Sequence, residues 1–181
     1  MRPYPMYRNL VLSDEITSGS IKPIIDKIMD INYDDDLKSQ DFCDWKRKPI
    51  YLFINTNGGN VYDALALIDI IQHSKTPIYT VALGWCMSAG LWIFTAGAKR
   101  IVGQNATLMF HDVQTWIADK TVGIKQELCE AQRLSQKYCD AITRVSTITQ
   151  AELQHYIDTK GEWYIPAEEA LKRALAEEYY Q

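Results

Sequence analysis

Two stretches of the chain show the same order of strand, glycine-containing turn and helix. The apolar run IYLFI at 50–54 leads into the turn NTNGGN and then a helical pattern at 61–74. The apolar run PIYTVALG at 77–84 leads into CMSAGLWIFTAGA at 86–98, a helical pattern rich in small residues. Successive strand-to-helix units predict a parallel sheet with right-handed crossovers, so the expected fold class is α/β.

Further elements are predicted on both sides of these units. A short strand at 7–12 precedes an amphipathic helix with isoleucines at helical spacing, for which Ser13 to Glu15 offer caps. Residues 32–49 are first acidic, then basic and almost free of aliphatic side chains, which predicts a surface excursion. The remaining predicted elements are short strands at 100–103 and 107–111, a long helix from about 119 to 146, and helices near 150–158 and 167–176.

Length and composition limit the possible classes of protein. A chain of 181 residues with 47% hydrophobic and 23% charged residues fits one globular domain spanning 1–181. The formal net charge of −4 gives no general attraction for nucleic acid, and no run approaches the ~18 apolar residues of a membrane span. We therefore expect a soluble protein that binds neither nucleic acid nor membranes.

The four cysteines are far apart in the sequence and form no C-x-x-C pair, so no zinc site is expected. They are interpreted as reduced thiols of a cytoplasmic protein. No G-x-x-x-x-G-K-[ST] motif occurs, so a nucleotide phosphate cradle is not expected and any use of ATP must come from elsewhere. No metal or cofactor is expected.

Ser88 lies in the segment GWCMSAG, where a strand passes into a helix through small residues. Its hydroxyl would lie near unpaired backbone N–H groups, with room for a substrate carbonyl, as a nucleophile requires. The alternative is an ordinary helix cap. Likewise, Gly58 and Gly59 could bring N–H groups against a developing oxyanion, or could simply form a tight turn.

A serine nucleophile needs a base, and only three histidines are present. His111 ends the strand TLMFH and enters a loop, where α/β proteins usually present catalytic groups. His73 lies near a helix end and His155 within an amphipathic helix, so both are weaker candidates. The alternative for His111 is a hydrogen-bonding role at the strand end.

Taken together, these segments resemble the ClpP family, the proteolytic subunits of the Clp protease. The resemblance rests on IYLFIN, TNGGNV, G-x-x-x-S-x-G at 84–90, MFH at 109–111 and WYIPAEEAL, and runs from about Tyr7 to the C-terminus. It implies a ClpP/crotonase-like spiral of βαβ units with a protruding handle helix, the handle region being about 112–148. It also implies serine endopeptidase activity.

Carried over by position, the resemblance makes Ser88 the nucleophile and His111 the general base, with the N–H groups of Gly59 and Ala89 as the oxyanion hole. The third position departs from the family, because Glu162 stands where aspartate is usual. Asp158 is the competing candidate.

Three further departures predict a divergent paralogue of phage or Gram-positive type. The segment before Tyr7 is shorter than the axial-loop segment of the family, and the stretch at 33–48 is longer than usual. The glycine-rich turn that normally follows the histidine is replaced by DVQTWI.

The resemblance also implies partners. It implies self-assembly into heptameric rings, stacked as a tetradecamer through the handle helix, and an ATP-dependent AAA+ unfoldase that delivers unfolded polypeptide. Tyr51 and Phe53 alternate on one strand and would line the pocket for unfoldase loops, unless they form a plain core face. Two other functions remain open: a catalytically idle ring subunit that regulates an active paralogue, and a crotonase-like acyl-CoA enzyme.

Overall fold

The computed structural model describes residues 6–114 and 121–181, which form a seven-stranded sheet flanked by helices. The strands are β1 (Asn9–Leu12), β2 (Ile50–Thr56), β3 (Ile78–Met87), β4 (Lys99–Val102), β5 (Thr107–Phe110), β6 (Trp163–Pro166) and β7 (Glu178–Tyr179). The helices are α1 (Ser18–Asp41), α2 (Val61–His73), α3 (Ala89–Thr95), α4 (Thr121–Val145), α5 (Gln150–Asp158) and α6 (Ala167–Lys172), and a 3-10 turn at Met6–Arg8 precedes β1.

The sheet has the strand order β1-β2-β3-β4-β7, and all of these neighbours are parallel, as predicted. Strand β3 divides its pairing, with residues 79–82 beside β4 and residues 85–87 beside β5. Gly84 lies between these two parts with a φ of 53°, and a Cβ there would lie 2.6 Å from Asn55 Oδ1. A glycine is therefore favoured where β3 changes neighbours.

The main hydrophobic core lies between the sheet and the helices, and strand β2 contributes Ile50, Leu52 and Ile54 to it. The central strands have apolar runs because the main core lies on one face of the sheet and a smaller apolar cluster, which includes Tyr51 and Val81, lies on the other. The candidate catalytic segments leave the sheet at the ends of these buried strands.

Helix α1 differs from the prediction at both ends. Its N-cap is Thr17, which forms a capping box with Ser20, and not a residue of Ser13 to Glu15. The helix continues to Asp41, so the surface excursion predicted at 32–49 is wrong for its first ten residues. This part of the helix has few aliphatic residues, and its buried position is occupied instead by Asp35, which is fully buried.

Asp35 is buried because it pairs with Arg8, which is 1% exposed. Two guanidinium nitrogens of Arg8 donate to its carboxylate at 2.5 and 3.0 Å, and Thr76 Oγ1 donates at 2.7 Å. Burial alone would raise the pKa of Asp35, but the hydrogen bonds from Arg8 and Thr76 outweigh it and hold the pKa below its ordinary value. The pair is therefore charged at neutral pH and ties α1 to the start of β1.

Replacing Asp35 with Ala should lower the free energy of unfolding by about 3 kcal/mol or more, because the Arg8 charge would be left buried without its partner. Urea denaturation measures this loss. Asp26→Ala is the matched control on the same helix, since Asp26 pairs with Lys22 in solvent and its loss should cost about 1 kcal/mol or less. Equal losses for the two variants would contradict the role given to the buried pair.

Three other differences concern strand and helix ends. Strand β3 extends to Met87, so the helix predicted from 86 begins only at Ala89. Helix α6 ends at Lys172, and neither β6 nor β7 was predicted. The start of the predicted long helix and residues 115–120 of the handle region lie outside the described residues.

Candidate active site

Ser88 occupies the junction between β3 and α3 in a backbone conformation that is rare for a residue with a side chain. Its φ is 53° and its ψ is −125°. Although it is the residue preceding α3, its hydroxyl makes no capping hydrogen bond. A serine with a strained backbone, whose hydroxyl does not cap the helix, is typical of a functional position. The alternative role as a helix cap is not observed.

The turn that contains Gly58 and Gly59 packs directly against Ser88. A Cβ at Gly58 would lie 2.8 Å from the Ser88 Cβ, and one at Gly59 would lie 2.4 Å from the Ile16 carbonyl oxygen. Backbone hydrogen bonds of Ile16 to Gly58 and of Asn60 to Ile16, both 2.8 Å, hold the turn. Only glycine allows this approach, since φ is 112° at Gly58 and 146° at Gly59.

Two backbone donors at this site are available to a ligand. Among residues 6–114 and 121–181, the N–H groups of Gly59 and Ala89 make no hydrogen bond. The Ala89 N–H belongs to the first turn of α3, where helix N–H groups have no partner within the helix. Such donors suit an oxygen that gains negative charge during a reaction.

His111 directly follows β5, and the structure brings it to the same place. One cavity of about 250 Å³ is lined by Ser88, Ala89, Gly59 and His111. Four of the five residues proposed for catalysis from the sequence thus meet at one site. Parallel strands β2, β3 and β5 all present their C-terminal ends there, which is the usual location of sites in α/β folds.

Glu162 reaches this region through an element that was not predicted. Strand β6 pairs antiparallel with β5, with Phe110 opposite Trp163, so His111 and Glu162 flank the last pair. Both residues line a second cavity of about 920 Å³. The carboxylate of Glu162 is exposed and accepts a hydrogen bond from the Tyr164 hydroxyl at 2.6 Å, which raises the pKa of Tyr164.

The three candidate triad residues are near one another but are not joined. Within the described part of the chain, no hydrogen bond links Ser88, His111 and Glu162. The competing Asp158 ends α5, accepts a hydrogen bond from Gln154 at 2.8 Å and lines neither cavity. The placement of the acid therefore favours Glu162.

A protein-family model described as Clp protease matches residues 7–180. The chain belongs to the Clp protease family. This assignment agrees with the resemblance seen in the sequence and decides against the crotonase-like alternative.

Curated relatives agree with the family. The chain is 28% identical over 171 residues to "ATP-dependent Clp protease proteolytic subunit 1" of Prochlorococcus marinus, covering 93% of this chain and 81% of the relative. It is 30% identical over 139 residues to "ATP-dependent Clp protease proteolytic subunit 2" of a Synechococcus strain, covering 74% and 66%. This Clp protease family chain is thus a ClpP-type subunit.

A solved structure confirms the fold class. The chain superposes on a ClpP1 point mutant from Listeria monocytogenes with a TM-score of 0.80, covering 97% of this chain and 92% of the other. The sequence identity is 21%, so this likeness concerns the fold alone.

Two features of this Clp protease family site were not anticipated from the sequence, and both involve α4. The Ser135 hydroxyl donates to Asp112 Oδ1 at 2.5 Å, next to His111, and the Tyr138 hydroxyl donates to the Ser88 carbonyl at 2.8 Å. The apolar periodicity of α4 predicts that one face is buried. It does not show which polar atoms that face brings to the site.

Cys139 is the one thiol that lines the larger cavity among the described residues. Burial, assisted by the carboxylates of Asp112 and Asp140, raises the pKa of this thiol to about 11. The thiol is therefore protonated at neutral pH, which makes Cys139 a poor candidate for a nucleophile.

Tyr51 and Phe53 share a small apolar cluster on the face of β2 opposite to its core residues Ile50, Leu52 and Ile54. Tyr51 is 6% exposed, whereas Phe53 is only partly buried. Phe53 makes an edge-to-face contact with Tyr180, with ring centroids 5.5 Å apart. The predicted common face is confirmed, and its rim is open to solvent at Phe53.

Two kinds of feature are absent from residues 6–114 and 121–181. None of their helices combines the length and the apolar character needed to span a membrane. Nor do three or more His, Cys, Asp or Glu side chains in that part of the chain converge as they would around a metal ion.

Proposed function

We propose that this chain is a serine-type endopeptidase, with Ser88 as nucleophile and His111 as general base. The N–H groups of Gly59 and Ala89 are the oxyanion donors, and Glu162 orients the imidazole. The observation that carries the proposal is a cavity that Ser88 shares with His111 and with two unpaired N–H donors. Ser88 has a strained backbone there, and its hydroxyl does not cap α3. The family match supports it independently.

The geometry suits acyl transfer in two steps. Ser88 Oγ attacks the peptide carbonyl carbon while its proton passes to His111, and the carbonyl oxygen becomes an oxyanion held by the two N–H groups. As the C–N bond breaks, the imidazolium returns the proton to the leaving amine, and an acyl-enzyme remains. Water, deprotonated by His111, then attacks the ester and restores the Ser88 hydroxyl.

A serine-reactive fluorophosphonate tests the proposal directly. We expect a covalent adduct on Ser88, located by mass spectrometry, that forms in the parent protein and is lost in His111→Ala, because the reagent needs an activated hydroxyl. An unlabelled Ser88 in a folded parent protein would refute the serine-type mechanism.

One observation favours the idle ring subunit as a second candidate. The described residues contain no hydrogen bond among Ser88, His111 and Glu162, as expected of a site that has lost its function. Catalytic hydrogen bonds in ligand-free enzymes are often long or absent and form only with substrate, so we favour the enzyme. The labelling experiment separates the two.

The substrate of the proposed enzyme is unfolded polypeptide, cleaved inside heptameric rings stacked into a tetradecamer with an AAA+ unfoldase as partner. Helix α4 supports this assembly. Its residues 124–129 are all exposed and include Ile124 and Leu128, whereas Leu134 is buried in the protomer. Exposed aliphatic side chains one turn apart on a long helix suit a subunit interface.

The assembly makes a simple prediction. Light scattering should give the mass of seven or fourteen copies of the 20.8 kDa chain. A protein that remains monomeric at every salt and protein concentration would remove the closed chamber from the proposal.

Replacing Phe53 with Ala should impair unfoldase-dependent protein degradation by about tenfold while small-peptide cleavage changes little. The reason is that Phe53 is a partly exposed member of an apolar cluster that does not line the Ser88 cavity, and aromatic side chains often contribute most of the binding energy at interfaces. Phe42→Ala, an exposed phenylalanine beyond α1, is the matched control. Equal loss of both activities would show that Phe53 contributes to core packing and not to partner binding.

All four cysteines are free, which supports placing the proposed enzyme in a reducing compartment such as the cytoplasm. We also propose that residues 1–181 form a single peptidase domain, since one sheet contains strands from both ends of the chain.

A further inference from the structure

Tyr138 of helix α4 lies directly behind the candidate nucleophile. Its side chain is buried, with 3% of the residue exposed, and its hydroxyl donates to the Ser88 carbonyl oxygen at 2.8 Å. Burial raises the pKa of the Tyr138 hydroxyl well above its ordinary value, so the hydroxyl keeps its proton and acts as a donor.

The ring of Tyr138 is held on two sides. It stacks on Trp92 of α3 with centroids 5.1 Å apart, and it packs against Phe110 at 5.2 Å. Phe110 immediately precedes His111. One side chain therefore contacts both segments that carry the proposed catalytic pair, and its hydroxyl position is determined by packing.

The hydrogen bond acts on a backbone unit that needs support. Ser88 has a positive φ, and such a conformation persists only where its surroundings enforce it. Its N–H donates to the Met109 carbonyl at 2.9 Å. Its carbonyl accepts from the Trp92 N–H at a longer 3.2 Å and from Tyr138 at 2.8 Å.

The Ser88 carbonyl and the Ala89 N–H belong to the same peptide unit. Because that unit is planar and trans, the direction of the carbonyl determines the direction of the N–H. A donor on the carbonyl oxygen also polarises the peptide and strengthens the N–H as a donor. The Tyr138 hydroxyl therefore acts on the proposed oxyanion hole through one rigid group.

We propose that Tyr138 is a positioning residue that holds the Ser88–Ala89 peptide so that the Ala89 N–H is aimed at the oxyanion. This inference rests on the proposed function. It adds to that function a side chain of α4 that acts through the backbone of the nucleophile.

The test is Tyr138→Phe, which keeps both ring contacts and removes only the hydroxyl. We expect kcat for a fluorogenic peptide to fall by about tenfold or more with KM nearly unchanged, since the oxyanion exists only in the transition state. The affinity for a peptide boronic acid, which forms a tetrahedral adduct, should fall in parallel with kcat/KM. Tyr79→Phe, at the opposite end of β3, is the matched control and should behave as the parent.

Three outcomes distinguish the inference from the function on which it rests. A lower kcat and weaker boronate binding at a temperature where both variants are folded would support it. If kcat and the boronate affinity of Tyr138→Phe both equal those of the parent, even with a lower melting temperature, then Tyr138 serves only to pack the core. That result would overturn the inference while leaving the proposed function intact. A parent protein without Ser88 reactivity would overturn both.

Discussion

Ser88→Ala is expected to abolish peptide cleavage while leaving the fold and the assembly unchanged. The substitution removes one hydroxyl that makes no capping hydrogen bond, so no buried partner is left unsatisfied. Alanine keeps the Cβ, so the backbone strain at φ 53° stays the same. Loss of the nucleophile from a triad lowers kcat by about 10⁴ or more.

The measurement is kcat for a fluorogenic peptide, together with circular dichroism and light scattering to show that the variant folds and assembles. Ser39→Ala is a suitable control, because its hydroxyl bonds only to backbone carbonyls within α1. Cleavage by Ser88→Ala at the parent rate would mean that another group is the nucleophile.

The strand–turn–helix units could be predicted because each depends on local sequence. The apolar run of β2 and the glycines that follow it force a turn, and the N-cap Asn60 starts α2. The second half of α1 could not be predicted in this way. There Asp35 is buried against Arg8, a residue distant in sequence. An acidic run normally indicates an exposed segment, so the sequence alone does not indicate a buried helix here.

The candidate site shows the same contrast between local sequence and contacts distant in sequence. The positions of Ser88 and His111 could be predicted because both end strands of a parallel sheet, and such ends meet at one edge. Tyr138 and Ser135 could not be identified, since a helical pattern locates a buried face without its partners. The β5–β6 pairing was also missed, because β6 is a four-residue strand whose partner is set by tertiary structure.

Glu162→Gln is expected to lower kcat steeply, because the pairing of β5 with β6 brings Glu162 beside His111. Glutamine keeps the shape of the side chain but removes the charge that, in the proposed mechanism, stabilises the imidazolium formed when His111 takes the serine proton. We expect a fall of about a hundredfold or more, with residual activity from the oxyanion donors.

Asp158→Asn is the matched control, since it removes the same charge from the competing acid. Asp158 bonds to Gln154 at the end of α5 and lines neither cavity, so its loss should leave kcat almost unchanged. In the proposed mechanism Glu162 exchanges its hydrogen bond with Tyr164 for one with His111, and the pairing of Phe110 with Trp163 brings the two residues to the same end of the β5–β6 pair. An active Glu162→Gln beside an inactive Asp158→Asn would instead assign the third position to Asp158, and the α5 end would then have to move toward His111 when substrate binds.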